Sequence, residues 1–251
     1  MRQVCTRGFT VARVGSRAAG MALAVSAGLG VAAFGQTVRI ETRSMLVQVE
    51  AQASSQETVR LLVGLGRIRA DLQLGMLVLG EPSAAAHFGH PRAEILPGIA
   101  EGLQAAGVGD LAPVLQKLED GGAEDAVRKA YLEAEKALLK ARSTLAPSGE
   151  DAALAVLELA RLSAGGIAAS GPTEMRAYQV AWAQLMVARG ELDLLARSAD
   201  PGLAQLALSE AMALDEIILS MPDPAGSGPV AFDPAPILEL VKRLERRDEA
   251  A

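Results

Sequence analysis

The chain is poor in the side chains that most often carry chemistry. It has one cysteine, Cys5, two histidines, and an aromatic content of 3%. Cys5 lies in an amino-terminal stretch that reads as cleavable, so the mature chain is expected to have no thiol. That excludes disulfides, thiolate-held zinc and iron–sulfur clusters. The usual catalytic patterns are missing too. There is no His-Glu-x-x-His, which sets a general base between two zinc ligands. There is no Gly-x-Ser-x-Gly elbow. Gly64-Leu65-Gly66 has no third glycine of a dinucleotide loop and sits inside a helical pattern, where close helix packing is its expected role. Without a nucleophile–base pattern, the expectation is a protein that is not an enzyme.

Residues 1–35 read as an export signal. Arg2, Arg7, Arg13 and Arg17 make a basic start, with no acidic residue before Glu41, and an apolar run from Ala18 to Ala33 follows. Small residues then precede a cut before Phe34 or Gln36. The run is rich in Ala and Gly, with few of the large apolar side chains of a spanning helix. A periplasmic or exported location is expected; the alternative is an inner-membrane anchor over residues 18–35, with membrane contact only if that segment stays uncleaved. Cys5 precedes the apolar run, so a lipoprotein anchor is not expected.

The full chain carries 24 basic and 30 acidic residues, net -6. Loss of the four early arginines leaves 20 against 30, net -10. An acidic surface repels phosphate backbones, so nucleic acid is not an expected partner. Half the residues are hydrophobic, and the mature length suffices for a large buried core.

The pattern beyond residue 55 is helical nearly throughout. Val59, Leu62, Val63, Leu65, Ile68, Leu72 and Met76 recur at helical spacing, predicting a helix over 56–80. A second helical region, 82–106, is interrupted by Pro91 and Pro97 and is expected to kink or divide. Asp110 is placed to cap a short helix reaching Glu119. Gly121-Gly122 breaks the chain before an amphipathic helix over 124–145, with Val127, Tyr131, Ala134, Leu138 and Leu145 inward and Glu133, Glu135, Lys136 and Lys140 solvated. Ser148, with Asp151 three residues on, starts a helix over 151–169 that Gly165-Gly166 should end or loosen. Further helices are expected over 172–198, from Asp200-Pro201 to Ser220, and from Asp233-Pro234 to Arg247.

Short connections between amphipathic helices imply antiparallel neighbours. The expected fold is an all-α antiparallel bundle of about six to eight helices behind a signal peptide. Its parts are a signal peptide or anchor at 1–35, a flexible lead-in at 36–55, the bundle at 56–220, a loop at 221–232 and a terminal helix at 233–251. Residues 36–50 alternate briefly and are also compatible with an extended strand.

Both histidines fall in His87-Phe88-Gly89-His90-Pro91-Arg92-Ala93-Glu94. Steps of three, four and seven residues return to nearly one helix face, so His87, His90 and Glu94 can project together. Neutral imidazoles with a carboxylate suit iron, copper or zinc. Three ligands from one segment need a fourth from another helix, and Asp71 and Glu101 are the nearest acids. Pro91 disfavours helical geometry at His90 and cannot donate to the His87 carbonyl, which places His90 at a junction. The competing reading makes His87 a buried residue bonded to backbone and Glu94 a first-turn carboxylate.

Tyr178 and Trp182 share a helix face four residues apart, and core packing is their expected role. Glu174, one turn earlier, is a candidate partner for the Tyr178 hydroxyl or an added ligand for the histidine site.

On these motifs the chain resembles a loosely defined group of uncharacterised exported bacterial all-helical proteins marked by His-x-x-His-Pro-x-x-Glu. Here that motif is intact, and Tyr178-Gln179-Val180-Ala181-Trp182 resembles the group's later Tyr-Gln-Asp segment. The group is similar, remotely, to imelysin-like proteins, which use His and Glu on helices and are associated with iron uptake. Two positions depart from the pattern: Gly66-Arg67 stands where the group has Gly-His, and Val180 where it has Asp. The resemblance implies an exported helical protein that holds a metal ion through His87, His90 and Glu94, with Asp71, Glu101, Glu174 and Tyr178 as second candidates. The alternative is a helical interaction or scaffold module whose partner is an envelope protein.

Overall fold

The computed structural model describes residues 34–170, 175–226 and 230–248. Most of the signal-peptide segment, Cys5 and Glu174 therefore lie outside the described residues. The chain divides into two compact units, Met1–Leu46 and Val47–Ala251. What is described of the first is a stretch of helix. The second carries the bundle and everything that follows.

The described elements are α1 (Phe34–Leu77), α2 (Ser83–His90), a π-helical turn (Pro91–Ile95), α3 (Leu96–Ala105), α4 (Ala112–Glu119), α5 (Glu124–Leu145), α6 (Gly149–Ser170), α7 (Met175–Leu195), α8 (Pro201–Ser220) and α9 (Ala235–Asp248). No strand occurs among the described residues. The expected all-α class stands. With α2, the π turn and α3 counted as one bent helix, the described residues form eight helices.

Local signals account for most of the boundaries. At the start of α6 the Ser148 N–H donates to Asp151 Oδ2 and the Asp151 N–H donates to Ser148 Oγ, both at 3.0 Å, a reciprocal cap. Asp151 Oδ1 also accepts from the Ser55 hydroxyl, which ties α1 to this end of α6. At α8 the Asp200 carboxylate accepts from Gly202 and Leu203 N–H. Gly121 and Gly122, with φ of 68° and 124°, make the turn before α5.

Some expectations need correcting. Residues 36–55 are helical as part of α1, because an unpaired alternating stretch has no strand to bond to and a helix satisfies its own backbone. Gly165-Gly166 does not end α6, which continues to Ser170. Each glycine costs about 1 kcal/mol in a helix, and Ala160, Ala164 and Ile167 are buried on either side of the pair. Glu135, expected to be solvated, turns instead to Arg69 of α1 at 2.9 Å.

Helix α1 is the shared centre of two packing layers. Leu61, Leu65, Ile68 and Leu72 join a core with Phe88, Ile95, Ile99, Leu115, Leu118 and Leu138 of α2 to α5. Ala70 and Leu74 join a second core with Val156, Leu159, Leu185, Leu192, Leu214, Ile237 and Leu240 of α6 to α9. Glycines permit the close approach. A Cβ on Gly64 would lie 2.7 Å from Ile99 Cγ2, and one on Gly75 would lie 2.5 Å from the Phe88 ring. Gly66 meets Leu159 and Val187 with slightly more room, at 3.2 and 3.4 Å. The packing role expected for Gly64 and Gly66 is what α1 uses.

Candidate functional site

Antiparallel packing of α1 against α2 and α3 pairs Gly64 with Ile99 and Gly75 with Phe88. Asp71 lies between those two levels and faces the histidine segment. It is the only acid between Glu57 and Glu81, so a single carboxylate sits in an otherwise apolar helical stretch.

Pro91 lacks the N–H that would bond the His87 carbonyl. The chain stays helical nonetheless: His90 has φ -55° and ψ -43°, Pro91 φ -56° and ψ -45°. The ladder widens by one residue, and the Leu96 N–H bonds the Pro91 carbonyl. This is the i to i+5 bond of a π turn. His90 is thus not at a break between helices. Pro97 falls in the first turn of α3, where the ladder has already been re-registered.

Three contacts link four side chains. His90 Nδ1 lies 2.8 Å from Asp71 Oδ2, within hydrogen-bond distance. His90 Nε2 lies 3.3 Å from Glu94 Oε2. His87 Nδ1 lies 3.6 Å from Asp71 Oδ1, too far for a hydrogen bond. The side chains of His87 and Asp71 are only 3% and 5% exposed, against 20% for His90 and 72% for Glu94. The series therefore runs from water inward: Glu94, His90, Asp71, His87.

Two atoms at the inner end are unpaired. Asp71 Oδ1 and His87 Nδ1 are buried without a hydrogen-bond partner. Leaving such a group unsatisfied costs about 1–3 kcal/mol, more when it is charged. The expected bond from His87 to backbone is not made at Nδ1.

Of the sequence candidates, the fold brings His87, His90, Glu94 and Asp71 together, but not as a ring around one point. Among the described residues, no three His, Cys, Asp or Glu side chains are placed to hold a metal ion as they stand. Glu94 meets His90 on the solvent side instead of stacking under His87, because the wide turn falls between them and breaks the seven-residue register. Glu101 is exposed on α3, where its charge acts on Arg60. Arg67, one turn before Asp71, makes no ion pair with Asp71 or Glu94 among the described residues.

Tyr178 belongs to the other core. It packs with the α6 to α9 residues, and its hydroxyl donates to the Pro222 carbonyl. Its ring lies 6.4 Å from that of Phe232. Burial, helped by the nearby Asp223 carboxylate, pushes its pKa up to about 12. Gln179 bonds the Pro224 carbonyl at 2.9 Å, so this pair pins the loop after α8. Core packing is borne out for Tyr178, and Trp182 is partly buried against the same cluster.

On the outer side, Arg92 pairs with Glu119 and fastens α4 to the π turn. That guanidinium holds the Glu119 carboxyl below its ordinary range. A groove of about 420 Å³ between α3 and the 108–111 turn, lined by Leu96, Leu103, Gln104 and Asp110, includes none of the four clustered residues.

Comparison with protein-family models, curated proteins and solved structures finds no match for this chain. Among the described residues, no helix is long and apolar enough to cross a membrane.

Proposed function

We propose that this chain is an exported, non-enzymatic helical protein of the cell envelope that binds a transition-metal ion, iron, copper or zinc, at Asp71, His87 and His90. Glu94 stands at the rim. The reading is carried by one observation: a buried carboxylate oxygen and a buried imidazole nitrogen face each other unpaired at 3.6 Å.

A cation between them would answer both vacant positions. Two donors 3.6 Å apart, each about 2.1 Å from a common ion, subtend about 118° at it, close to a tetrahedral angle. Imidazole nitrogen with carboxylate oxygen suits zinc, copper and iron. His90 becomes the third donor if its Nδ1 gives up the proton it shares with Asp71. A site with three protein ligands keeps a position open for water or exchange, as fits uptake, storage or sensing better than a purely structural ion. The basic, apolar amino terminus supports export. The resemblance of His87-Phe88-Gly89-His90-Pro91-Arg92-Ala93-Glu94 to the motif of exported helical proteins agrees with both.

Calorimetric titration with iron, copper and zinc tests the reading. One ion per chain is expected, with binding removed by His87→Ala together with His90→Ala. An ion at 100 times its Kd should add about 2.7 kcal/mol of stability. Equal affinity in the double variant would sink the site.

A second reading rests on α8. Leu208, Met212 and Leu219 recur at steps of four and seven residues and are 50%, 68% and 85% exposed. Such a stripe suits a scaffold or interaction module that docks an envelope protein. Metal-free protein that melts unchanged in chelator would favour it.

A further inference from the structure

Resting on the metal reading, we infer that Glu94 is a positioning residue: its carboxylate keeps a proton on His90 Nε2 and so reserves Nδ1 for the ion.

A neutral imidazole has one N–H and one lone pair. His90 Nε2 faces the Glu94 carboxylate at 3.3 Å, and an ionised carboxylate only accepts. The favourable arrangement puts the proton on Nε2, donating outward. Nδ1 then presents its lone pair to Asp71 Oδ2, 2.8 Å away. Two acceptors at that separation repel unless a positive centre lies with them. That centre is either a second ring proton or an ion held by both groups.

His87 selects between these. Its Nδ1 approaches the other Asp71 oxygen at 3.6 Å, beyond the reach of a shared proton. Only a larger centre serves both sides of the Asp71 carboxylate. A carboxylate–imidazole–metal relay results, in which the outer carboxylate fixes the ring's tautomer and orientation while the other nitrogen ligates. The π turn makes the relay possible within one segment. It lets Glu94 reach back to the ring four residues earlier while Arg92 leaves for Glu119.

Glu94 is 72% exposed, so replacing it leaves the core intact. The test uses the full chain with Co²⁺ as the probe. For Glu94→Ala, affinity should fall about 10- to 100-fold. The visible ligand-field spectrum of the saturated complex should stay as in the parent, because the ligand set is unaltered. Glu94→Asp should recover most of the affinity. Without metal, ¹⁵N spectra should find His90 Nε2 protonated in the parent. In Glu94→Ala the proton should sit on Nδ1, bonded to Asp71.

A changed spectrum in saturated Glu94→Ala would make Glu94 a ligand and overturn the inference. Unchanged affinity with unchanged Nε2 protonation would do the same. If the parent chain takes up no Co²⁺ and no iron, copper or zinc, the proposed function falls. The ring-proton measurement then still decides what Glu94 does to His90.

Discussion

The two layers that share α1 treat buried polarity differently. In the α6 to α9 layer each buried polar group is answered. Ser163 donates to the Leu159 carbonyl at 2.8 Å and to Gln184, and Glu210 pairs with Arg243 at 3.0 Å. Arg189, whose Nη1 lacks a well-aligned hydrogen bond, is still in ionic contact with Asp193 and Asp215. In the α2 to α5 layer a carboxylate and an imidazole are buried face to face and left open. A layer optimised only for stability would not keep that pair. The contrast teaches that one half of the molecule is built to stand and the other tolerates a deficit at one point.

The largest expected effect is in the satisfied layer. Leu214 is fully buried, so Leu214→Ala should cost about 2–5 kcal/mol in urea unfolding and leave metal affinity unchanged. Coupled loss of both would erase the distinction between layers. Next comes Gly75→Ala, whose added methyl would meet the Phe88 ring at 2.5 Å. A cost of about 1–3 kcal/mol is expected, together with weaker ion binding, because α2 carries both Phe88 and the histidines. Gly66→Ala, with looser neighbours, should be close to neutral.

The sharpest test removes the deficit itself. Asp71→Leu with His87→Leu should leave the metal-free protein no less stable, and up to about 3 kcal/mol more so. A clear loss of stability would mean that the pair is satisfied in a way the geometry does not reveal. A smaller effect concerns alkaline pH, where the layers should act alike. Burial pushes both Tyr131 and Tyr178 up to about 12 from an ordinary value near 10. The folded state then favours the neutral phenol, so this contribution is complete below pH 10 and is lost as pH climbs from about 10 through about 12. Tyr178→Phe should flatten part of that slope, measured as unfolding free energy against pH.

Much of the bundle was legible in the sequence. The 124–145 boundaries, the Ser148–Asp151 cap and the Asp200 cap follow from local chemistry, and the structure repeats them. What failed was local reasoning applied where tertiary packing decides. Gly165-Gly166 stays helical because its flanks are buried. Proline logic put a break at His90, whereas the chain inserted a wider turn and stayed helical. The site divides in the same way. Spacing found His87, His90 and Glu94, but a helical wheel cannot foresee a change of pitch inside the motif, so it placed Glu94 beside the wrong histidine. Asp71 and Glu101 could not be ranked by distance along the chain. The isolation of Asp71 in an apolar stretch was the signal that separates them.

The π turn has a genetic consequence. It holds one residue more than an α-helical turn would. Deleting Ala93 would therefore preserve a continuous helix while rotating everything after it by about 100°. Ile99 would leave the notch opposite Gly64, and Leu96 and Leu103 would swing toward water. Single-residue deletions between His90 and Leu96 should thus be tolerated far less well than substitutions there. The spare residue acts as a built-in spacer, setting the phase between the half of this helix that bears the imidazoles and the half that grips the central rod.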